Sequence, residues 1–298
     1  MGEGLALGSA LSFAVANVAV MRGARHGDED NGAFLSLLLT VAIAGLGWGL
    51  VGATQGFMPV TAQGLAWLAA AGVFSAFIGR VFLYASIQHL GAMRASAIKR
   101  LNPFFAVVLG IAVLGETVSG GMVWGGLLIV ASFAVLVQLQ WRTPGAPDAA
   151  APAARVLNLG YVYGPVSALG YGIGNLLRKT GLEQAPDPFL GACVGTGVGV
   201  LMFLVAAQFS GSYRRAVRAT FRAPRPWLWV AGVAGSAGQV LIFAALAHSP
   251  MSTVALVSSM EVFFTIGLGL LVTAERPTPR VVVAALLGFA GTALLVLR

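Results

Sequence analysis

Long stretches of this chain carry no charged side chain. No Asp, Glu, Lys or Arg lies between Asn31 and Gly79, and further charge-free runs cover 117 to 141, 188 to 213 and 226 to 260. A helix needs about 20 apolar residues to cross a hydrocarbon core of roughly 30 Å, so the long runs must hold more than one span, or a span and a polar turn. This pattern predicts an all-α integral membrane protein that crosses the bilayer several times.

The composition agrees with this interpretation. Of the 298 residues, 58% are hydrophobic and only 9% are charged, which is too few charges to cover a soluble globule of this size. Breaks at glycines, prolines and polar clusters predict ten transmembrane helices. The predicted ranges are 4–21, 33–54, 65–88, 94–114, 121–140, 157–178, 188–209, 227–247, 252–273 and 280–297. The first segment lacks a basic start, which favours a spanning helix over a removable signal peptide.

One block of the chain occurs twice. The segments "WLAAAGVFSAF", "NPFFAVVLG" and "LGET" return about 160 positions later as "WLWVAGVAGSA", "EVFFTIGLG" and "TAER". We predict a five-helix repeat over 1–141, a Pro/Ala-rich linker over 142–156 and a second five-helix repeat over 157–298. Because each repeat has an odd number of spans, the two should be inverted relative to each other around a central cavity.

The first helix of each repeat carries a matching row of side chains at i, i+4 and i+8, which places each row on one helical face. The rows are Ser9, Phe13 and Asn17 in the first helix and Ser167, Tyr171 and Asn175 in the sixth. We expect Asn17, Tyr171 and Asn175 to offer hydrogen bonds to a substrate between the repeats.

Ionisable side chains inside a span are costly and usually face a cavity or a partner. Glu261 lies about nine residues into the ninth helix, near the membrane midplane. Two stripes should face the repeat axis: Ser258, Glu261 and Thr265 in the ninth helix, and Ser96, Lys99 and Asn102 in the fourth. Glu261 either takes part in transport or is a hydrogen-bonded group that fixes helix packing.

Several cations accompany these stripes. Arg80 lies deep in the third helix with Tyr84 on the same face, and Lys99 and Arg100 enter the fourth helix from the same side. Together they predict a basic pocket that attracts a carboxylate, or that pairs with Glu261 when no substrate is bound. For Lys99 and Arg100, snorkelling to the membrane interface is the alternative explanation.

Two further features concern the helices around the cavity. Asn102 and Pro103 should interrupt the fourth helix, since proline frees a carbonyl one turn back, although a simple packing kink is the alternative. Gln239 and Phe243 face inward if the stripe that they form with Ser236 is the buried one.

The distribution of charge favours one orientation. Loops after helices 1, 3, 5, 7 and 9 carry about a dozen Lys and Arg residues, and the opposite side carries about three, among them Arg178. The positive-inside rule therefore places both termini outside a bacterial-type inner (plasma) membrane. The arginine-rich loops serve this orientation, so no nucleic-acid partner is expected.

No catalytic or metal signature occurs in the sequence, and Cys193 is the single cysteine. We expect no enzyme activity, no metal and no cofactor. Small-residue spacings such as Gly191/Gly195 are typical of close helix packing within a monomer, with a dimer face as the alternative.

The chain resembles the ten-helix, EamA-type branch of the drug/metabolite transporter superfamily. The resemblance rests on the run "NPFF" to "LGE" at 102–116 and its counterpart "EVFF" to "TAE" at 261–275, within a duplicated chain of short-looped helices. It implies alternating access through a cavity lined by helices 1, 3, 4, 6, 8 and 9, and export of amino acids or related metabolites. Glu116 and Glu275 read as caps or loop anchors rather than as substrate ligands.

Together with this resemblance, the observations predict a carrier that exports a small metabolite, with amino acids as the first class and aromatic or other hydrophobic ones among them. The predicted substrate-binding residues are Asn17, Arg80, Tyr84, Lys99, Asn102, Tyr171, Asn175, Gln239, Phe243, Ser258 and Glu261. The alternative is a non-transporting membrane scaffold or lipid-handling subunit, in which the polar stripes only hold helices together.

Overall fold

The fold is built from helices joined by short connections. The computed structural model describes residues 1–24, 30–114, 120–142, 159–222, 225–249, 254, 257–272 and 277–296, and no strand occurs among them. The helices are α1 (Gly2–Gly23), α2 (Ala33–Gln55), α3 (Ala62–Ala71), α4 (Arg80–Leu90), α5 (Ala92–Ile98), α6 (Leu101–Leu114), α7 (Gly120–Arg142), α8 (Gly160–Gln184), α9 (Pro188–Phe209), α10 (Gly211–Arg222), α11 (Pro226–His248), α12 (Glu261–Val272) and α13 (Pro279–Val296).

A π-helical stretch, Gly72–Gly79, joins α3 to α4, so that Ala62–Leu90 forms one continuous span. Four other helices, α1, α2, α9 and α11, are also long and apolar enough to cross a membrane, and α12 is a shorter apolar helix. The chain is therefore a multi-pass, all-helical membrane protein. Glu116, Glu275 and the predicted linker after Arg142 lie outside the described residues.

Local sequence signals set several helix ends. Gly56 and Gly91 have φ values of 88° and 84°, which L side chains rarely adopt, and they end α2 and α4. Asp187 accepts hydrogen bonds from the backbone N–H groups of Phe189 and Leu190, and Pro188 occupies the first position of α9. These caps begin α9 after a sharp turn from α8.

The first helix of each repeat packs against the third helix of the other. Helix α1 lies against α11, and α8 lies against α3, the π-helical stretch and α4. The hydroxyl of Ser9 donates to the carbonyl of Gly238 at 2.8 Å, and that of Ser167 donates to the carbonyl of Gly79 at 2.6 Å. These bonds are equivalent in the repeat alignment, so the two repeats hold each other by the same contact.

Two helices are interrupted at nearly equivalent positions. Helix α5 is followed by a turn at Lys99 and Arg100, and α6 begins at Leu101. In the second repeat, a turn at Ser259 and Met260 precedes α12. The carbonyl of Lys99, which would face the missing N–H of Pro103, accepts instead from the N–H of Asn102 at 3.0 Å. The predicted interruption is thus confirmed, but it lies one turn before the proline.

Helix α10 differs from the prediction of an arginine-rich loop after the seventh span. Its buried residues are Ala216 and Thr220, while Arg214, Arg215 and Arg218 are exposed. Tyr213 packs on Phe203 of α9 with ring centroids 4.8 Å apart. The helix is amphipathic and lies beside the membrane-spanning helices, because its high arginine content excludes it from the hydrocarbon core.

Candidate functional site

A cavity lies between helices of the two repeats, at the level of the two interrupted segments. Its walls come from α1, α8 and α11, from the turn before α6 and the start of α6, and from the segment before α12 and the start of α12. The lining residues are Phe13, Lys99, Arg100, Asn102, Pro103, Tyr171, Asn175, Arg178, Gln239, Ile242, Leu246, Val254, Ser258 and Glu261.

Glu261 is at the centre of a buried charge cluster. The ammonium of Lys99 donates to both carboxylate oxygens at 2.9 Å, and Arg100 Nη2 donates to Oε2 at 3.3 Å. The side-chain amide of Asn17 donates to Oε1 at 2.8 Å. With Glu261 only 2% exposed and Lys99 8% exposed, this is a buried, hydrogen-bonded ion-pair network. Snorkelling of Lys99 and Arg100 to the interface is therefore wrong.

The two predicted stripes contact each other through hydroxyl groups. Asn17 donates to Ser96 Oγ at 3.1 Å, Ser96 donates to Thr265 Oγ1 at 3.3 Å, and Thr265 donates to the carbonyl of Glu261 at 2.8 Å. These bonds join α1, α5 and α12. The backbone turn that carries Glu261 is consequently held from both repeats.

Aromatic rings enclose the ammonium group of Lys99. Its Nζ lies 4.9 Å from the ring centroid of Phe13 and 5.1 Å from that of Tyr171. The two rings are equivalent in the repeat alignment. Their negative π faces stabilise the cation where the bilayer provides no water.

Arg178 is a cavity residue that the sequence analysis assigned to a loop. The predicted sixth helix ended at 178, but α8 continues to Gln184 and Arg178 is 3% exposed. Its Nη2 donates to Ser75 Oγ at 2.6 Å, Nη1 donates to Asn175 Oδ1 at 3.2 Å, and the guanidinium lies 4.8 Å from the Phe243 ring. One signal could have identified it: Arg178 follows Asn175 by three positions and so shares its helical face.

Arg80 does not pair with Glu261, contrary to one expectation. Its guanidinium donates to the Ser36 carbonyl at 3.2 Å, to Thr40 Oγ1 at 2.9 Å and to Gln239 Oε1 at 3.1 Å. Lys99 and Arg100 pair with the carboxylate instead, because the turn after α5 places both of them beside it. Arg80 therefore lies one layer behind the cavity wall, where neutral oxygens satisfy its donors.

The predicted site residues fall into two groups. Those that line the cavity are Lys99, Asn102, Tyr171, Asn175, Gln239, Ser258 and Glu261. Asn17, Arg80 and Phe243 stand behind it and contact the lining residues Glu261, Gln239 and Arg178, respectively. Tyr84 does not line the cavity either, and its hydroxyl donates to Ser36 Oγ at 3.2 Å. The buried stripe of Ser236, Gln239 and Phe243 is confirmed, since all three are at most 2% exposed.

Two polar atoms of the cavity wall are buried without a hydrogen-bond partner in the described part of the chain. They are Arg100 Nε and Ser258 Oγ. Buried polar groups in native proteins normally have partners, so these two atoms have unused hydrogen-bonding capacity. Within the same residues no group of three or more His, Cys, Asp or Glu side chains could hold a metal ion.

Comparisons with known proteins give a family and a similar fold. The EamA-like transporter family matches in two stretches, residues 1–138 and 158–297. A solved structure described as "Crystal structure of protein" is similar with a TM-score of 0.56 and 16% identity, over 97% of this chain and 94% of the other, which bears on the fold alone. No curated protein matches in sequence. Since the two matched stretches cover most of both repeats, the chain belongs to the EamA-like transporter family.

Proposed function

We propose that this protein is a carrier that exports a small metabolite, with amino acids as the first class to test, through the cavity between its repeats. The observation that carries the proposal is that buried ionisable side chains from both repeats line one cavity within an apolar helix bundle. Such side chains are costly in a membrane and usually mark a substrate pathway.

The proposed mechanism is alternating access between two inverted five-helix repeats. Two features support it: the reciprocal Ser9 and Ser167 hydrogen bonds, and the interrupted helices beside the cavity. Interrupted helices at the midplane are typical of transporter binding sites, because free backbone groups there can bind substrate. Rocking one repeat against the other would open the cavity to each side in turn.

We further propose that both termini face outward in an inner membrane. The exposed arginines of α10 support this, since positive residues are retained on the cytoplasmic side. A phosphatase reporter fused after Arg298 should be active in the periplasm. Activity of a reporter that works only in the cytoplasm, fused at the same position, would show that the termini face the cytoplasm.

Transport into proteoliposomes tests the function. Purified protein should exchange at least one labelled amino acid or related carboxylate with the same compound inside the vesicles, and empty liposomes provide the background. The Leu201→Ala variant is a suitable control, because Leu201 is 62% exposed on the outside of α9, away from the cavity. If the protein exchanges none of the compounds tested, the carrier assignment is wrong.

A scaffold or lipid-handling subunit is the second candidate. Its support is that polar side chains such as Asn17 and Ser96 hydrogen-bond to another helix. In that case the polar network would only hold helices together. The cavity would then be closed to water-soluble reagents from both sides.

A further inference from the structure

The cavity has a large excess of positive charge. Resting on the proposed function, we infer that the substrate is a carboxylate-bearing metabolite of net negative charge, and that Arg178 binds its carboxylate. The inference narrows the substrate class beyond amino acids in general. It follows from the balance of charges, from the bonding of Glu261, and from the free donors of the wall.

Four cations are buried in and directly behind the cavity: Arg80, Lys99, Arg100 and Arg178, each at most 8% exposed. Within the part of the chain that the structure describes, Glu261 is the acidic residue that lines the cavity. Arginine stays protonated in proteins, so the three guanidinium groups alone outnumber the single carboxylate. Buried charge without a counter-ion is strongly unfavourable, and an anionic substrate would relieve this excess.

Glu261 has little capacity left for a substrate ammonium group. One oxygen accepts from Asn17 and Lys99, and the other accepts from Lys99 and Arg100. An ammonium group would have to displace one of these four hydrogen bonds, three of which come from the buried cations Lys99 and Arg100. The site therefore favours a substrate whose negative groups outnumber its positive ones.

Arg178 is suited to hold a carboxylate. Its described hydrogen bonds go to the neutral oxygens of Ser75 and Asn175, and they use two of the five N–H groups of a guanidinium. The nearby wall of Ile242, Leu246 and Val254 is apolar, so a charge pair formed there is weakly screened. A carboxylate can accept two parallel hydrogen bonds from such a guanidinium.

The other end of the cavity offers a second polar anchor. Tyr171, whose ring contacts Lys99, lies seven residues before Arg178 on α8, which is about 10 Å along the helix. The unpartnered Arg100 Nε and Ser258 Oγ belong to the same wall. This arrangement suits a short dicarboxylate or an acidic amino acid, with one carboxylate at Arg178 and the second group toward Arg100.

Glutamate and glutamine provide a matched pair of probes, because they have nearly the same size and differ by one charge. We expect exchange of labelled glutamate in proteoliposomes to exceed that of glutamine at least about tenfold. Succinate should compete with glutamate, whereas phenylalanine and putrescine should not.

The Arg178→Gln variant should lose most of the preference for glutamate over glutamine, and Arg178→Lys should keep part of it. Arg218→Gln, on the exposed face of α10, is the control for removing an arginine and should leave the preference unchanged. Glutamate should also raise the thermal unfolding midpoint of the wild type and of Arg178→Lys, but not of Arg178→Gln. This binding readout needs no transport.

Equal exchange of glutamate and glutamine, or an Arg178→Gln variant with an intact preference, would overturn the inference and leave the carrier assignment in place. Absence of exchange with every compound, together with no thermal shift from any of them, would overturn the carrier assignment and this inference with it.

Discussion

Glu261 is the residue that connects most of the central polar network. It bonds to Asn17 of α1 and to Lys99 and Arg100 of the turn before α6, and its backbone carbonyl accepts from Thr265. A single carboxylate thus offsets part of the buried positive charge and joins helices of both repeats. Removing the Glu261 carboxylate should therefore lower the stability of the protein, whatever it does to substrate binding.

We expect Glu261→Gln to lower the free energy of unfolding by about 3 kcal/mol or more, because Lys99 and Arg100 would stay buried without their counter-ion. Adding Lys99→Gln should recover part of the loss, which gives a coupling free energy of about 1 kcal/mol or more in a double-mutant cycle. Thermal unfolding in detergent measures both. Glu183→Gln, an exposed acidic residue of α8, is the matched control and should change stability by less than about 0.5 kcal/mol.

Purely additive effects of Glu261→Gln and Lys99→Gln would contradict the ion pair as described. Equal effects of Glu261→Gln and Glu183→Gln would show that burial of the Glu261 carboxylate has no energetic role.

At the scale of single residues, a polar side chain inside an apolar run predicted several of the residues that line the cavity. Glu261, Lys99 and Asn175 were found in this way and line the cavity. Arg178 was missed because it is followed by Lys179 near the predicted end of a helix, where a cation normally reaches water. Its side chain lines the cavity because α8 continues past it to Gln184.

At the scale of the elements, close contact between helices depends on glycines. A Cβ atom added to Gly72 would collide with the backbone carbonyl of Gly195 in α9, and a backbone atom cannot move away as a side chain can. Gly72 also begins the π-helical stretch that carries Ser75, the partner of Arg178. Packing of α9 on this span is thereby linked to the cavity wall.

Gly72→Ala should therefore destabilise the protein by about 1–3 kcal/mol or more through overpacking. Gly197→Ala, where nothing lies within 4 Å of the added atom, is the control and should be neutral or slightly stabilising, since alanine favours the helix by about 1 kcal/mol over glycine. Thermal unfolding midpoints of the two variants in the same detergent give the comparison. Equal midpoints would exclude the close approach of Gly72 and Gly195.

Helix positions followed from charge-free runs and turn residues, but three features did not. The π-helical stretch depends on contacts with α8 and α9 that no local pattern reports. The interruption before α12 has no proline, unlike the one before α6, and it follows from the bonds that hold Glu261 in place. The amphipathic α10 was hidden by its arginines, which are typical of loops.

At the scale of the whole molecule, the repeats explain why the polar residues meet. Equivalent positions, such as Arg80 and Gln239, contact each other directly at 3.1 Å. Such contacts between repeat-related residues are expected where two similar halves face a shared axis. The duplicated sequence predicts a shared site between the halves. It does not predict which side chains line the cavity and which stand behind it, because this depends on the rotation of each helix about its axis. In so apolar a sequence no periodic pattern reports that rotation.

Accessibility of the cavity to water is the most direct test of the carrier account. In a Cys193→Ser background, Ser258→Cys and Asn175→Cys place a thiol on the cavity wall, and Leu201→Cys places one on the outer surface of α9. A thiol reacts as the hydrated thiolate, so a water-soluble reagent distinguishes a wet cavity from lipid or a dry core.

The account predicts that the two cavity thiols react in intact membranes, that glutamate slows their reaction, and that the Leu201→Cys thiol does not react. Protection of both cavity thiols from both sides of the membrane, in protein that remains folded, would contradict a substrate pathway between the repeats and favour a scaffold.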